Sequence, residues 1–278
     1  MPTLQSNGIE LAYELHGAGQ PLLFIGGVGY GGWFWRKVAP ALAACFQTIT
    51  FDNRGAGGSD KPDGPYTVPM LAADAAGLLD ALHLKGAVVF GHSLGGFIAQ
   101  ELALMRPDLA SKLILAGANH GGQKVIPITP EAMQVLTNRQ GDPMELIKRG
   151  IAIATAPGFA ERHPEAVDEL IQYRLTNPVP PAQYSAQVMA GAGMIAYSDE
   201  TVADRMRRLT MPTLILFGEH DKVVPPGNAE LMAARLPDAR IAIIPNTGHI
   251  FPMEDPAATV NAVMEFAGSF LLCLATHR

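Results

Sequence analysis

The chain is short of cysteine, short of basic runs and without a long apolar stretch, and each shortage removes a class of protein. Two cysteines, Cys45 and Cys273, are all that 278 residues carry. Their spacing fits no metal-ligand pattern, so neither a disulfide framework nor a cysteine metal site is indicated. The basic runs "LIKRG" (Leu146–Gly150) and "RMRRL" (Arg205–Leu209) are short and read as solvated helix faces, and the formal net charge is −6. A nucleic-acid or anionic-membrane partner is therefore not expected. No apolar run reaches the roughly 20 residues of a membrane span. The most apolar tail, "FAGSFLLCLATHR", is too short. The opening "MPTLQSNGIELAYELHG" lacks the basic and apolar regions of a secretory leader. The expectation is a cytoplasmic protein acting on a small molecule, as a monomer or homodimer.

What is present is core-forming. Hydrophobic residues make up 48% of the chain, enough for one large α/β domain. Asn7-Gly8 between two extended runs predicts a hairpin. "PLLFI" (Pro21–Ile25), "QTITFD" (Gln47–Asp52), "GAVVFG" (Gly86–Gly91), "SKLILAGA" (Ser111–Ala118), "PTLILFGEHD" (Pro212–Asp221) and "ARIAIIP" (Ala239–Pro245) read as apolar strands. Helix-like stretches separate or follow them: Trp33–Cys45, Val68–Leu84, Leu94–Met105, Gly227–Leu236 and Pro256–Leu272. That alternation implies a mostly parallel sheet with helices on both faces. Residues 120–209 break it. They hold amphipathic stretches divided by Pro and Gly and no clear strand. The expected organisation is an α/β core of residues 1–119 and 210–278, with 120–209 a helical insertion on the sheet.

The stretch "VVFGHSLGGFIAQEL" (Val88–Leu102) puts Ser93 at a sharp turn between a buried strand and a helix. Such a turn strains its apex and leaves no room for side chains two positions either side, hence Gly91 and Gly95. Gly96 lets the helix start pack closely on the neighbouring strand. The hydroxyl is pushed out above the sheet, and the Leu94 N–H, at the helix N-terminus, is aimed at an incoming oxyanion. A serine needs a base, and the base needs an orienting group. Asp221 follows the strand "TLILF", and His249 lies in the loop after the last strand. In a parallel sheet such loops collect at one edge. Glu219 and His220 compete with Asp221, and Asp221 itself could merely cap a turn. The other histidines show no spacing that suggests a metal.

On "GHSLGG", "GEHDKVVPP" and "NTGHIFPMEDP", and on "FDNRGAGGSDKP" besides, the chain resembles the α/β-hydrolase superfamily over nearly its whole length, and in particular its small capped esterases and enol-lactonases. The resemblance implies an eight-stranded, mostly parallel sheet with a helical cap at 120–209. It implies a Ser93–His249–Asp221 triad and no cofactor or metal. It gives Asp52 and Arg54 a loop-bracing role. Oxyanion donors are expected from Leu94 and, by position, Val28. The family commonly has His-Gly after the third strand, whereas this chain has Gly26-Gly27. Gly27, His92, Trp33 and Ile250 are candidate substrate contacts, although packing of Trp33 and its neighbours on the sheet explains those aromatics as well. The implied reaction is hydrolysis of a hydrophobic ester or lactone. The alternatives are an enol-lactonase or C–C hydrolase taking an acidic substrate, with Arg139, Arg149, Arg162 or Arg174 supplying charge, and a slow-turnover ligand receptor.

Overall fold

The structure, a computed structural model, describes residues 1–268. Eight strands form one sheet: β1 (Thr3–Ser6), β2 (Ile9–His16), β3 (Gln20–Ile25), β4 (Phe46–Phe51), β5 (Ala87–His92), β6 (Ala110–Ala116), β7 (Thr213–Gly218) and β8 (Ala239–Ile244). Their order across the sheet is β1-β2-β4-β3-β5-β6-β7-β8. The first hairpin and the β2–β4 pair are antiparallel, and every later pair is parallel. Asn7 and Gly8 take φ of 47° and 79°, the left-handed backbone that a two-residue hairpin turn requires.

The parallel centre explains why its strands read as unbroken apolar runs. β5 and β7 are buried at every position, because helices cover both faces. Successive side chains point to opposite sides. Leu23, Ile25 and Val89 pack with Leu71, Leu78, Ile98 and Leu102, from helices Val68–Ala81 and Leu94–Met105. Leu22, Phe24, Val88 and Phe90 pack with Phe34, Trp35, Val263 and Phe266 on the other face. Phe24 and Phe90 are fully buried, and burying each such side chain stabilises the fold by roughly 1.5–3 kcal/mol.

The expected helix Trp33–Cys45 is not continuous. It is a 3-10 turn, Gly32–Trp35, and a four-residue helix, Ala39–Leu42. Pro40 supplies no N–H, and its ring would strike the carbonyl four residues back, so the helix has to restart there. The last helix spans Pro256–Ala267. Gly268, part of the expected Pro256–Leu272 helix, ends it with a left-handed φ of 76°; residues 269–278, with Cys273 and the rest of the apolar tail, lie outside the described residues.

Between β6 and β7 the chain is helical, with Pro130–Thr137, Pro143–Ala154, Pro164–Thr176, Pro181–Gly193 and Asp199–Arg208 its longer helices. Four of these start on proline, whose fixed φ and missing N–H suit the first helical position. Thr129, Asp142 and Ser198 cap three of them by accepting a backbone N–H. Asp52 and Arg54 both brace the loop after β4. Asp52 accepts the Gly32 and Gly58 N–H groups at 2.6 and 2.7 Å. Arg54 holds both oxygens of the buried Asp74.

Candidate functional site

Ser93 joins β5 to helix Leu94–Met105 with φ 57° and ψ −120°, a left-handed conformation costly for any residue with a Cβ. Its neighbours hold it there. A Cβ on Gly91 would collide with the Gly95 carbonyl, one on Gly95 with the Ile25 carbonyl, and one on Gly96 with the Ala118 methyl. The Ser93 N–H donates to the Ala116 carbonyl at 2.9 Å, and the Ser93 carbonyl accepts the Gly96 N–H at 2.9 Å. The hydroxyl has no hydrogen-bond partner in the described chain and faces a cavity.

His249 faces the same cavity. Its Nδ1 lies 2.7 Å from Asp221 Oδ2, and the two residues are 5% and 3% exposed. The carboxylate accepts, so Nδ1 carries the proton, which leaves Nε2 as the basic nitrogen. Asp221 is fixed in turn: its Oδ1 accepts the Val223 and Val224 N–H groups, each at 2.8 Å. The competing residues point elsewhere. Glu219 accepts the Asn246 N–H, and His220 pairs with Glu219 at the surface.

The His249 loop is tied down on three sides. The His249 carbonyl accepts from His92 Nε2 at 2.8 Å. The Ile250 N–H donates to the Ala154 carbonyl at 3.0 Å. Glu254 accepts the Gly248 and Ala156 N–H groups, both at 2.8 Å, joining this loop to the end of helix Pro143–Ala154. Burial pushes the Glu254 carboxyl up to about 7, against the two accepted N–H bonds. Burial likewise holds His92 well below the usual imidazole range, with the neighbouring His249 adding to it. His92 is thus a neutral donor to a backbone carbonyl.

The loop after β3, Gly26–Tyr30, closes the site opposite Ser93. A Cβ on Gly27 would come within 2.9 Å of the Ser93 Cβ, so only glycine fits that approach. The N–H groups of Val28 and Leu94 find no acceptor among the described residues. Three side chains hold the loop. Asn53 donates to the Gly26 carbonyl at 3.0 Å. Gln187, 1% exposed in helix Pro181–Gly193, accepts the Gly29 N–H at 2.9 Å and donates to the Arg54 carbonyl at 3.0 Å. Arg174, in helix Pro164–Thr176, donates to the Gly29 carbonyl at 2.6 Å and lies over the Tyr30 ring at 3.8 Å.

The cavity measures about 590 Å³, within the range of small-molecule sites. Val28, Tyr30, Ser93 and His249 form its floor, and apolar residues of helices Pro130–Thr137 and Pro143–Ala154, such as Val135, Leu136 and Leu146, form its walls. The expected substrate contacts Gly27, His92, Trp33 and Ile250 are not among its lining residues. Gly27 has no side chain to offer and abuts Ser93. His92 and Ile250 are fully buried. Trp33 stacks on Tyr173 at 5.4 Å instead. Of the four cap arginines, Arg139 and Arg174 line the cavity. Arg149 and Arg162 bond to the Gln140 and Pro157 carbonyls near their own helices. Tyr30, Tyr184 and Gln187 carry no motif in the sequence. They come to the site through contacts between segments far apart in the chain.

Ser93, His249 and Val28 line one cavity, with Asp221 bonded to His249 behind it. The α/β-hydrolase-fold family model matches residues 20–256. The chain belongs to the α/β-hydrolase family. Its relatives divide by substrate. RutD of Azorhizobium caulinodans, named for carbamate hydrolysis, is 29% identical over 276 residues, covering 96% of this chain and 98% of RutD. The poly(3-hydroxyalkanoate) depolymerase of Ectopseudomonas oleovorans is 32% identical over 249 residues, 88% of this chain and 83% of that enzyme. The thermophilic esterase of Thermogutta terrifontis, a solved structure, superposes with a TM-score of 0.80 at 29% identity, covering 96% and 98% of the two chains. No helix among the described residues is long and apolar enough to cross a membrane.

Proposed function

We propose that this α/β-hydrolase cleaves a carboxylic ester or lactone of moderate size through Ser93, His249 and Asp221. The observation that carries the reading is the buried 2.7 Å His249–Asp221 bond on the same cavity as the strained Ser93. His249 Nε2 takes the Ser93 proton as Oγ attacks the carbonyl, and Asp221 stabilises the imidazolium that forms. The unpaired N–H groups of Val28 and Leu94 receive the oxyanion. His249 returns the proton to the leaving alcohol, leaving an acyl-Ser93. Water, deprotonated by His249, attacks that ester, and as the acid leaves His249 gives the proton back to Ser93 Oγ. Every proton moved is accounted for by these residues and water. Residues 120–209 act as the cap, and their apolar side chains set the preference for an apolar acyl group. The carbamate and polyester named for two relatives, like the ester named for the third, are cleaved at a carbonyl, which this arrangement suits.

Hydrolysis of p-nitrophenyl esters from acetate to decanoate, by wild type and Ser93→Ala, tests the reading. The expected result is sustained turnover with an optimum at intermediate chain length, abolished by the substitution. Ser93→Ala retaining full hydrolysis would refute it. A single burst without turnover would favour a ligand receptor.

A further inference from the structure

The cavity's charge is lopsided. Among its lining residues there is no aspartate or glutamate, while two arginines reach it. The chain as a whole has a formal net charge of −6, opposite in sign to this lining. Neither arginine has a carboxylate partner among the described residues. Arg174 is half-buried, with one Nη1 donor spent on the Gly29 carbonyl and its face on Tyr30. Arg139 is exposed at the mouth, over the Tyr184 ring at 4.4 Å. A guanidinium has five N–H donors in a planar fork. Stacking on an aromatic ring fixes the plane of that fork and leaves its edge free. A cationic edge facing an apolar cavity, with no carboxylate against it among the described residues, matches an anionic group on the ligand.

Position narrows the ligand further. Gly29 follows Val28, so the carbonyl that holds Arg174 lies at most about 7 Å of chain from the Val28 N–H. Resting on the hydrolase reading above, the geometry points to a carboxylate subsite formed by Arg174 and Arg139, which makes the substrate an apolar ester or lactone bearing a carboxylate a few bonds from the scissile carbonyl. A singly charged, planar carboxylate matches two side-chain forks.

Two esters that differ by one methyl group test this: p-nitrophenyl hydrogen adipate, with a free carboxylate, and p-nitrophenyl methyl adipate. Charge-assisted hydrogen bonds are the strong class, so wild type is expected to show kcat/KM about tenfold or more higher for the acid. The ratio should fall towards one in Arg174→Gln and Arg139→Gln, and invert in Arg139→Glu. Arg139 is exposed, so its variants fold even if Arg174→Gln does not. A second readout needs no turnover: calorimetric binding of monomethyl adipate against dimethyl adipate to Ser93→Ala protein, alone and with Arg139→Gln. Charge-selective binding lost with Arg139→Gln upholds the subsite even where neither ester is cleaved, and that outcome refutes the hydrolase reading alone. Equal turnover and equal binding of acid and neutral ester overturn the subsite and leave the hydrolase reading intact. Selectivity unchanged in all arginine variants overturns the assignment to these residues. Tighter binding of a monoalkyl phosphonate of the same length overturns the carboxylate assignment.

Discussion

Gln187→Leu isolates the contribution of a residue that never touches the chemistry. Leucine has nearly the volume of glutamine, so packing is kept while both hydrogen bonds of the buried side chain go, at 2.9 Å to the Gly29 N–H and 3.0 Å to the Arg54 carbonyl. Each orphaned buried backbone group costs about 1–3 kcal/mol. The structure can bear that cost in place, or relieve it by letting Gly29 move to water. The first route lowers stability by on the order of 2–6 kcal/mol. At roughly 2–4 °C per kcal/mol for a chain of this size, the melting temperature falls by about 4 °C or more. The second route draws Val28, one residue away, from the oxyanion position, and losing one such donor costs about 100- to 1000-fold in kcat. Both routes are open, so the expected result is a kcat lowered roughly 10- to 100-fold, little change in KM, and a melting temperature a few degrees down. Steady-state hydrolysis of a p-nitrophenyl ester supplies the first two numbers. Binding of a trifluoromethyl ketone, whose adduct places an oxyanion in the site, should weaken in step with kcat. Gln187→Glu, which can still accept the Gly29 N–H, should retain more activity than Gln187→Leu. A variant that melts lower yet keeps kcat and inhibitor affinity within twofold would refute the link between this glutamine and the oxyanion site.

Asp221→Asn should lower kcat by on the order of 10⁴, because the amide NH₂ facing His249 Nδ1 moves the imidazole proton to Nε2, where the serine needs a base; activity within tenfold of wild type would argue against the assigned roles. Glu254 gives a pH dependence whose sign follows from its raised carboxyl, about 7 against an ordinary 4.5. The folded chain holds this proton after the unfolded chain has released it, so the stabilisation is complete below about pH 4.5 and is lost as pH rises through 7, a difference on the order of 3 kcal/mol. Melting temperatures of wild type and Glu254→Gln at pH 5 and pH 8 measure it: wild type should lose more than the variant over that interval, and equal losses would refute the assignment.

The parts of this molecule legible in the sequence are those set by local chemistry. Asn7-Gly8 demands a hairpin turn, and the glycines around Ser93 demand an elbow, whatever the rest of the chain does. The order of Ser93, Asp221 and His249 along the chain, each after a strand of a parallel sheet, places them at one edge. The broken helix at Trp33–Cys45 was legible too, in Pro40, but the apolar spacing around it outweighs the proline when the stretch is read alone. The lining of the cavity was not legible. Trp33, His92 and Ile250 sit next to catalytic motifs in sequence, yet adjacency along a turning backbone sends neighbouring side chains to opposite sides. His92 and Ile250 are fully buried and Trp33 is stacked on Tyr173, while Ser93 and His249 reach the cavity. Residues lining the cavity come from helices 40 to 150 positions away, on stretches whose Ala, Leu and Met content suits any amphipathic helix.

Gly26-Gly27, where the family commonly carries His-Gly, shows what such distance means for the chemistry. Glycine there offers no side chain to the loop. The bracing comes from Asn53 on the β4 loop and from Gln187 and Arg174 on two separate helices of the 120–209 segment. Two of the three supports of the Gly26–Tyr30 loop therefore belong to the segment that also walls the cavity. A ligand that pulls Arg174 towards itself, or a motion that lifts helix Pro181–Gly193, acts on Gly29 directly. On the proposed mechanism, substrate fit and oxyanion geometry are then coupled, since moving these helices away from the cavity leaves the Gly26–Tyr30 loop held by Asn53 alone among its three side-chain supports.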